Sequence, residues 1–155
     1  IQYRGRATAG VGTTHAALGA RRWRPGLTTG VRWERLRAWR FAILYMGLIF
    51  VVSSIEVRVP GLQHFPLRDK GLHFLEYGVL GWLCAAASSR TWSSATAWRT
   101  ASFAVFVAVL WGLSDEIHQA LVPGRSSELG DFVADALGAF AGTVGWHRFS
   151  NRTVS

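Results

Sequence analysis

Residues 101–119 read ASFAVFVAVLWGLSDEIHQ, an apolar run that ends in two carboxylates, an imidazole and an amide. The apolar part carries no charge, which is typical of a helix that crosses a lipid bilayer. Asp115, Glu116, His118 and Gln119 follow it, and ionisable groups at membrane depth usually face a bundle interior or a water-filled cavity. The stretch therefore predicts a transmembrane helix that ends in a polar site.

The composition places the whole chain in the membrane class. The length of 155 residues allows one domain, half of the residues are hydrophobic, and eight are Trp. Such a composition is unusual for a soluble chain. Cys84 is the single cysteine and lies in an apolar run, so neither a disulfide framework nor a cysteine-based zinc site is available. We interpret Cys84 as a small core residue.

Four apolar stretches predict transmembrane helices, over residues 38–54, 71–89, 98–121 and 130–149. At about 1.5 Å per residue, each covers most or all of a hydrocarbon core about 30 Å thick. We expect an all-α, polytopic membrane protein in which residues 39–150 form a bundle of four transmembrane helices. Residues 1–38 are basic and lack apolar periodicity, which predicts a disordered tail.

The basic residues predict the orientation of this bundle. Nine of the 17 Lys and Arg lie within residues 1–40, together with a single acid, Glu34. Four more lie at the same ends of the spans: Arg90, Arg99, Arg148 and Arg152. These ends belong on the cytoplasmic side by the positive-inside rule. We therefore expect a multi-pass protein of the cell membrane, in contact with the lipid bilayer, with both termini cytoplasmic.

Nucleic-acid binding is not expected, although the net charge is +8. The basic tail offers neither a folded platform nor aromatic side chains on which bases could stack in a defined element. The sequence leaves the oligomeric state open.

Polar residues share one face at the outer ends of three predicted helices. Positions four apart, or seven apart, lie on the same side of a helix. By helix rise, these positions fall within about 10 Å of the outer surface. Six of them are candidate catalytic groups: Asp69, His73 and Glu76 on the second helix, and Asp115, Glu116 and Gln119 on the third.

Four further residues near this layer are candidates for substrate binding: Lys70, Arg125, Asp131 and Asp135. Arg125 follows a Pro-Gly turn, at the mouth of the expected pocket, where a guanidinium could hold a phosphate or a carboxylate. The competing interpretation is structural. Asp69 and Asp131 begin helices, where an acid favours the helix dipole, and Lys70 or Arg125 could neutralise a neighbouring acid.

A divalent cation is an open alternative at this layer. His73 and His118 together with several carboxylates could bind such an ion, or could divide acid and base roles. Each histidine alone is better explained as a hydrogen-bonded residue of the bundle. No compact motif such as His-Glu-x-x-His is present. We expect no cofactor, with the metal site unassigned.

Five motifs follow one another in the chain: Asp69-Lys70-x-x-His73-x-x-x-Tyr77, Asp115-Glu116-x-x-Gln119, Pro123-Gly124-Arg125, Asp131-x-x-x-Asp135 and Gly138-x-x-x-Gly142. This ordered set resembles the pattern of the VanZ-like family of bacterial membrane proteins. The resemblance covers residues 45–145 and adds Tyr77 to the candidate substrate-binding residues. The family pattern more often has Asn where this chain has Asp135, so this acid requires a proton or a cationic partner. Ala134, Gly138 and Gly142, spaced by four, predict the close approach of another helix.

The resemblance implies a role in the cell envelope, since its namesake is associated with reduced susceptibility to the glycopeptide teicoplanin. We expect an outward-facing acidic and histidine-containing pocket that binds or modifies a lipid-linked or cell-wall component, or meets a glycopeptide. Two alternatives stay open: a small proton- or ion-coupled transporter, and a membrane-embedded hydrolase or transferase. Whether the protein is an enzyme is not decided by the sequence.

Overall fold

Four α-helices make up the part of the chain that the structure describes. The computed structural model describes residues 27–55 and 68–152, with side chains from residue 33 in the first range and from residue 69 in the second. The helices are α1 (Leu27–Ser53), α2 (Arg68–Thr91), α3 (Ala97–Gln119) and α4 (Leu129–Arg152). These two ranges contain no strand. The predicted all-α class with four helices is confirmed.

The ends of α2, α3 and α4 lie within three residues of the predicted spans, whereas α1 begins much earlier. Residues 27–38, which we assigned to the disordered tail, are helical. Charged residues such as Arg35 and Arg37 end the lipid-soluble run but do not end the helix, because Arg is a good helix former. The rest of the predicted tail, residues 1–26, lies outside the described residues.

The closest pair of helices is α2 and α4, whose backbones touch. A Cβ atom on Gly138 would overlap the carbonyl oxygen of Phe74, and one on Gly142 would overlap that of Gly78. A Cβ atom on Gly81 would likewise overlap the carbonyl oxygen of Ala139. Glycines on both helices thus permit the close approach that the spacing of small residues on α4 predicted.

Consecutive helices run in opposite directions, so each end of the bundle collects the termini of all four. The C-terminal ends of α1 and α3 meet at one end, as the bond between Ser53 and Asp115 shows. The N-terminal parts of α2 and α4 lie at the same end, since His73 bonds to Asp135, and Ser127, just before α4, bonds to Glu116. We call this the polar end. At the other, tryptophan end, Trp39 Nε1 donates to Thr91 Oγ1 over 3.0 Å, and Trp146 Nε1 donates to Ser89 Oγ over 3.3 Å.

Small residues fill the interior, and large apolar residues cover much of the outside. Cys84 is fully buried, as its place in an apolar run predicted. By contrast, Leu44 is 69% exposed and Phe106 is 62% exposed. An outer surface of this kind suits lipid better than water.

Two helices are long and apolar enough to cross a membrane, at Trp33–Ser53 and Ala97–Gln119. Only 17% and 33% of their most apolar windows are buried, unlike a helix in a soluble core. Together they indicate a membrane protein. Within the described residues, α2 and α4 do not meet the same criterion of length and hydropathy. The four-span arrangement therefore stays a prediction.

Candidate functional site

The polar end holds a buried cluster of hydrogen-bonding side chains contributed by all four helices. The sequence indicated that α2, α3 and α4 would bring polar residues to one layer, and the structure places them there. It also adds Ser53 from α1, which sequence reasoning missed. Seven members are buried: Ser53, His73, Asp115, Glu116, Gln119, Asp131 and Asp135.

His73 and Asp135 form the centre of this cluster, between α2 and α4. His73 Nδ1 lies 2.9 Å from Asp135 Oδ1, and Asp135 is fully buried. The tautomer of the imidazole and the protonation of the carboxyl group determine which of the two donates this hydrogen bond. The structure thus supplies the partner that the acid at position 135 requires. Burial of this pair makes it rigid, because neither group can turn to water.

Asp115 is held by two donors from different directions. Ser53 Oγ donates to Oδ1 over 2.5 Å, and Gln119 Nε2 donates to Oδ2 over 2.7 Å. The second bond follows from the spacing of four residues on α3, whereas the first joins α3 to the end of α1. Both carboxylate oxygens are satisfied, so Asp115 fixes the position of α1 against α3.

Glu116 anchors the loop between α3 and α4 with one of its oxygens. Oε2 accepts bonds from Ser127 Oγ over 2.7 Å and from the backbone N–H of Glu128 over 3.2 Å. The other oxygen, Oε1, is buried and has no hydrogen-bond partner among the described residues. Glu116 therefore keeps one acceptor free while its side chain is held in place.

Lys70 joins the start of α2 to the start of α4. Its Nζ lies 2.9 Å from Glu128 Oε2 and 3.0 Å from Asp131 Oδ1. The hydrogen bonds to Glu128 and Asp131 raise the pKa of Lys70, and the bond from Lys70 lowers the pKa of Glu128. The sequence left open whether Lys70 binds substrate or neutralises a neighbour. The structure gives it two acidic neighbours.

Arg125 contacts the end of α1. Its Nε donates to the carbonyl oxygen of Ser53 over 3.3 Å, and its NH2 group donates to that of Val52 over 3.1 Å. A cation at a helix C-terminus interacts favourably with the helix dipole and with the unpaired carbonyls there. Neither Glu128 nor Asp131 is its partner; both are bonded to Lys70 instead.

The remaining candidates on α2 lie at different depths. Asp69 is exposed, Glu76 is half-buried, and Tyr77 is fully buried with a hydroxyl that lacks a partner among the described residues. A Cβ on Gly112 would lie 3.1 Å from the Tyr77 ring and 3.3 Å from Asp135 Oδ2. Gly112 thus makes room for both side chains. In the sequence, the only sign of this role is the position of Gly112 one helical turn before Asp115.

The two histidines that the sequence grouped together lie in separate surroundings. His118 Nε2 is 2.9 Å from Ser54 Oγ, and its ring stacks on Phe50 with centroids 4.2 Å apart. Among the described residues, atoms that could ligate a metal ion come together around His73 instead. They form two groups, in each of which one donor atom per residue lies within 4.8 Å of the others: His73 with Glu116 and Asp135, and His73 with Asp69 and Asp131.

A cleft of about 450 Å³ opens beside the cluster, between the end of α3 and the start of α4. Leu113, Ile117 and Phe132 are among its apolar walls, and Glu116 and Ser127 line its polar side. An apolar cleft with a few polar groups on one side is suited to an amphiphilic ligand.

Four helices, two of them long and apolar enough to span a bilayer, and a buried polar cluster at one end define a small all-α membrane protein. The VanZ/LLP1 family model matches residues 33–150, which include all four helix cores and the whole cluster, so the chain belongs to that family. The resemblance drawn from the motifs is confirmed. No match was found among curated proteins or among solved structures.

Proposed function

We propose that this chain is a multi-pass protein of the bacterial cell envelope that binds a lipid-linked or cell-wall component at its polar end. The observation that carries the proposal is the junction of a buried polar cluster with an apolar cleft at Glu116. The cluster supplies hydrogen-bonding groups of fixed geometry, and the cleft accepts an apolar chain. A component that combines a polar group with a lipid matches both parts.

The positions of the arginines support an outward-facing polar end. Arg90, Arg99 and Arg148 are exposed at the tryptophan end, where Trp39 and Trp146 also lie. Basic residues favour the cytoplasmic side, and Trp favours the membrane interface. The polar end then faces away from the cytoplasm, on the side where cell-wall precursors are assembled into the envelope.

The charges of the cluster favour a ligand that donates hydrogen bonds. Lys70 and Arg125, the cations expected to hold an anion, are engaged by acids and by the carbonyls of α1. Acidic groups dominate the rest, and Glu116 lines the cleft. Hydroxyl and ammonium groups, which are common on sugars and amino-sugars, suit such surroundings better than a phosphate does.

A second candidate is a membrane-embedded hydrolase or transferase. The buried imidazole of His73, held by Asp135, is the observation that favours it, since an oriented histidine is the commonest general base. A small ion-coupled transporter is less favoured. Towards the tryptophan end, Ala85, Ala87 and Ser88 are buried, and all the buried acids among the described residues lie at the polar end, which leaves no relay of carboxylates across the bundle.

Complementation in cells tests the proposal. In a strain where deletion of the gene alters teicoplanin susceptibility or envelope lipid composition, Glu116→Gln and His73→Ala should abolish rescue. Ser102→Ala, an exposed position on α3, is the matched control and should rescue fully. Full rescue by both cluster variants, at equal protein levels, would remove the functional claim of the polar end. Turnover of a lipid-linked substrate by the purified wild type, lost in His73→Ala, would favour the enzyme over a binding protein.

A further inference from the structure

Three side chains from three different helices meet at the centre of the polar end: His73 from α2, Glu116 from α3 and Asp135 from α4. Each offers an atom able to ligate a metal ion, and these atoms lie within 4.8 Å of one another. All three residues are buried. The packing of α2, α3 and α4 therefore fixes the triad more firmly than a loop could.

Two carboxylate oxygens in this triad have no hydrogen-bond donor among the described residues. They are Glu116 Oε1 and Asp135 Oδ2, and both are buried. The other oxygens of the same groups are bonded, to Ser127 and to His73. A buried acceptor without a donor is costly, so the absence of a donor among the described residues favours a bound ligand at these two atoms.

The distances suit a single small cation. Ligand atoms of Zn²⁺ lie about 2.1 Å from the ion, so two of them are roughly 3.0 to 3.4 Å apart in octahedral or tetrahedral geometry. His73 Nδ1 and Asp135 Oδ1 are 2.9 Å apart, so an ion bound by both atoms would replace the hydrogen bond between them. The third ligand, within 4.8 Å, reaches this range through a small side-chain movement.

The charge of the surroundings also calls for a cation. Glu76, Asp115, Glu116 and Asp135 are buried or half-buried at this end. Of the cations described there, Lys70 is bonded to Glu128 and Asp131, and Arg125 is bonded to carbonyl oxygens of α1. Uncompensated carboxylates are expensive inside a protein unless they are paired or coordinate a metal. One divalent ion at the triad would neutralise two of them.

The second group of potential ligands, His73 with Asp69 and Asp131, is less suitable. The ammonium group of Lys70 lies 3.0 Å from Asp131 Oδ1 and would repel a cation there. Asp69 is exposed, so water already satisfies it. The triad with Glu116 and Asp135 has neither disadvantage.

We propose that His73, Glu116 and Asp135 bind one divalent transition-metal cation, with Zn²⁺ as the best match. One imidazole and two carboxylates are ligands that Zn²⁺ accepts, and three protein ligands leave a fourth position open. The inference concerns metal binding alone and requires no envelope substrate. Its failure and the failure of the proposed function are therefore distinguishable.

Metal titration of the full chain in lipid nanodiscs tests this proposal. The protein is purified with an affinity tag that contains no histidine, stripped with a chelator and titrated with Zn²⁺. The wild type should retain about one Zn²⁺ per chain after dialysis. Asp135→Asn and Glu116→Gln keep the shape of each side chain, and each should weaken binding by at least about tenfold, as does loss of a coordinating or supporting group at other metal sites. Co²⁺ in place of Zn²⁺ should give visible absorption bands that these variants lose.

Two matched variants show whether the effect is specific. His118→Ala removes an imidazole from the same end of the bundle, and Asp69→Asn removes an acid from the competing group; both should bind Zn²⁺ like the wild type. Failure of the wild type to retain Zn²⁺ would overturn the proposal. Unchanged binding in Asp135→Asn and Glu116→Gln would overturn it as well, and so would a loss in Asp69→Asn. Monodisperse elution of each variant shows that it is folded.

Discussion

Replacement of Gly142 with alanine tests the contact between α2 and α4, on which the position of the His73 and Asp135 pair depends. The new Cβ would overlap the carbonyl oxygen of Gly78 and approach the backbone nitrogen of Trp82. Both obstacles are backbone atoms, which can move only if a whole helix shifts. Overpacking of this kind costs about 1–3 kcal/mol, and alanine regains only about 0.5–1 kcal/mol of helix propensity.

We expect a net loss of about 1 kcal/mol in the free energy of unfolding, which lowers the midpoint by roughly 2 to 4 °C for a chain of this size. Thermal unfolding in a mild detergent, followed by the fluorescence of the eight Trp residues, measures the change. Gly47→Ala is the matched control, because nothing lies within 4 Å of a Cβ at this position on α1. It should be as stable as the wild type or slightly more stable.

Equal unfolding midpoints for Gly142→Ala and Gly47→Ala would refute the close contact between the two backbones. A loss of stability in both would point instead to a general effect of alanine in these helices. Only a loss confined to Gly142→Ala agrees with the structure.

Two further predictions concern the polar end. Ser53→Ala removes a donor from the buried Asp115 carboxylate, and hydrogen bonds to charged groups are worth about 1.5–3 kcal/mol. The unfolding midpoint of Ser53→Ala should therefore fall well below that of Ser102→Ala. Equal midpoints for the two variants would contradict the bond between Ser53 and Asp115. Lys70→Met should destabilise the protein at neutral pH, and the difference from the wild type should shrink in acid. Because the pKa of Glu128 is lowered in the folded protein, the stability that its ion pair with Lys70 contributes is fully present above the ordinary glutamate pKa. This stability is lost as the pH falls through the lowered pKa of Glu128 in the folded protein, whereas the raised pKa of Lys70 keeps the ammonium group charged throughout. If the difference in stability between the wild type and Lys70→Met stays constant down to pH 3, the ion pair between Lys70 and Glu128 is not the cause of that difference.

The helices could be predicted from the sequence because each contains a long apolar run. Except at the start of α1, the ends of these runs lie close to the ends of the helices in the structure. The start of α1 could not be predicted in this way. A search for lipid-soluble residues stops at Arg37 and Arg40, whereas the helix continues back to Leu27. Hydrophobicity indicates which residues suit a lipid environment. The end of a helix depends instead on helix propensity, which is high for Arg, so α1 continues through its arginines.

The composition of the polar cluster could also be predicted, since spacings of four place residues on one helix face. Its pairings could not. Asp135 meets His73 because glycines bring α2 and α4 together, and Arg125 reaches the carbonyl of Ser53 because the loop after α3 turns at Gly124, with φ of 84°. Such contacts depend on the relative positions of helices and on loop conformation, neither of which follows from periodicity.

The side of the membrane that the polar end faces is the central claim, and cysteine labelling in intact cells tests it most directly. In a Cys84→Ala background, single cysteines replace Ser126, exposed at the polar end, or Ser94, exposed at the tryptophan end. With a membrane-impermeant thiol reagent, we predict labelling of Ser126→Cys alone, and labelling of both only after the cells are permeabilised. Labelling of Ser94→Cys but not Ser126→Cys in intact cells would place the polar end in the cytoplasm and contradict a role in binding envelope components.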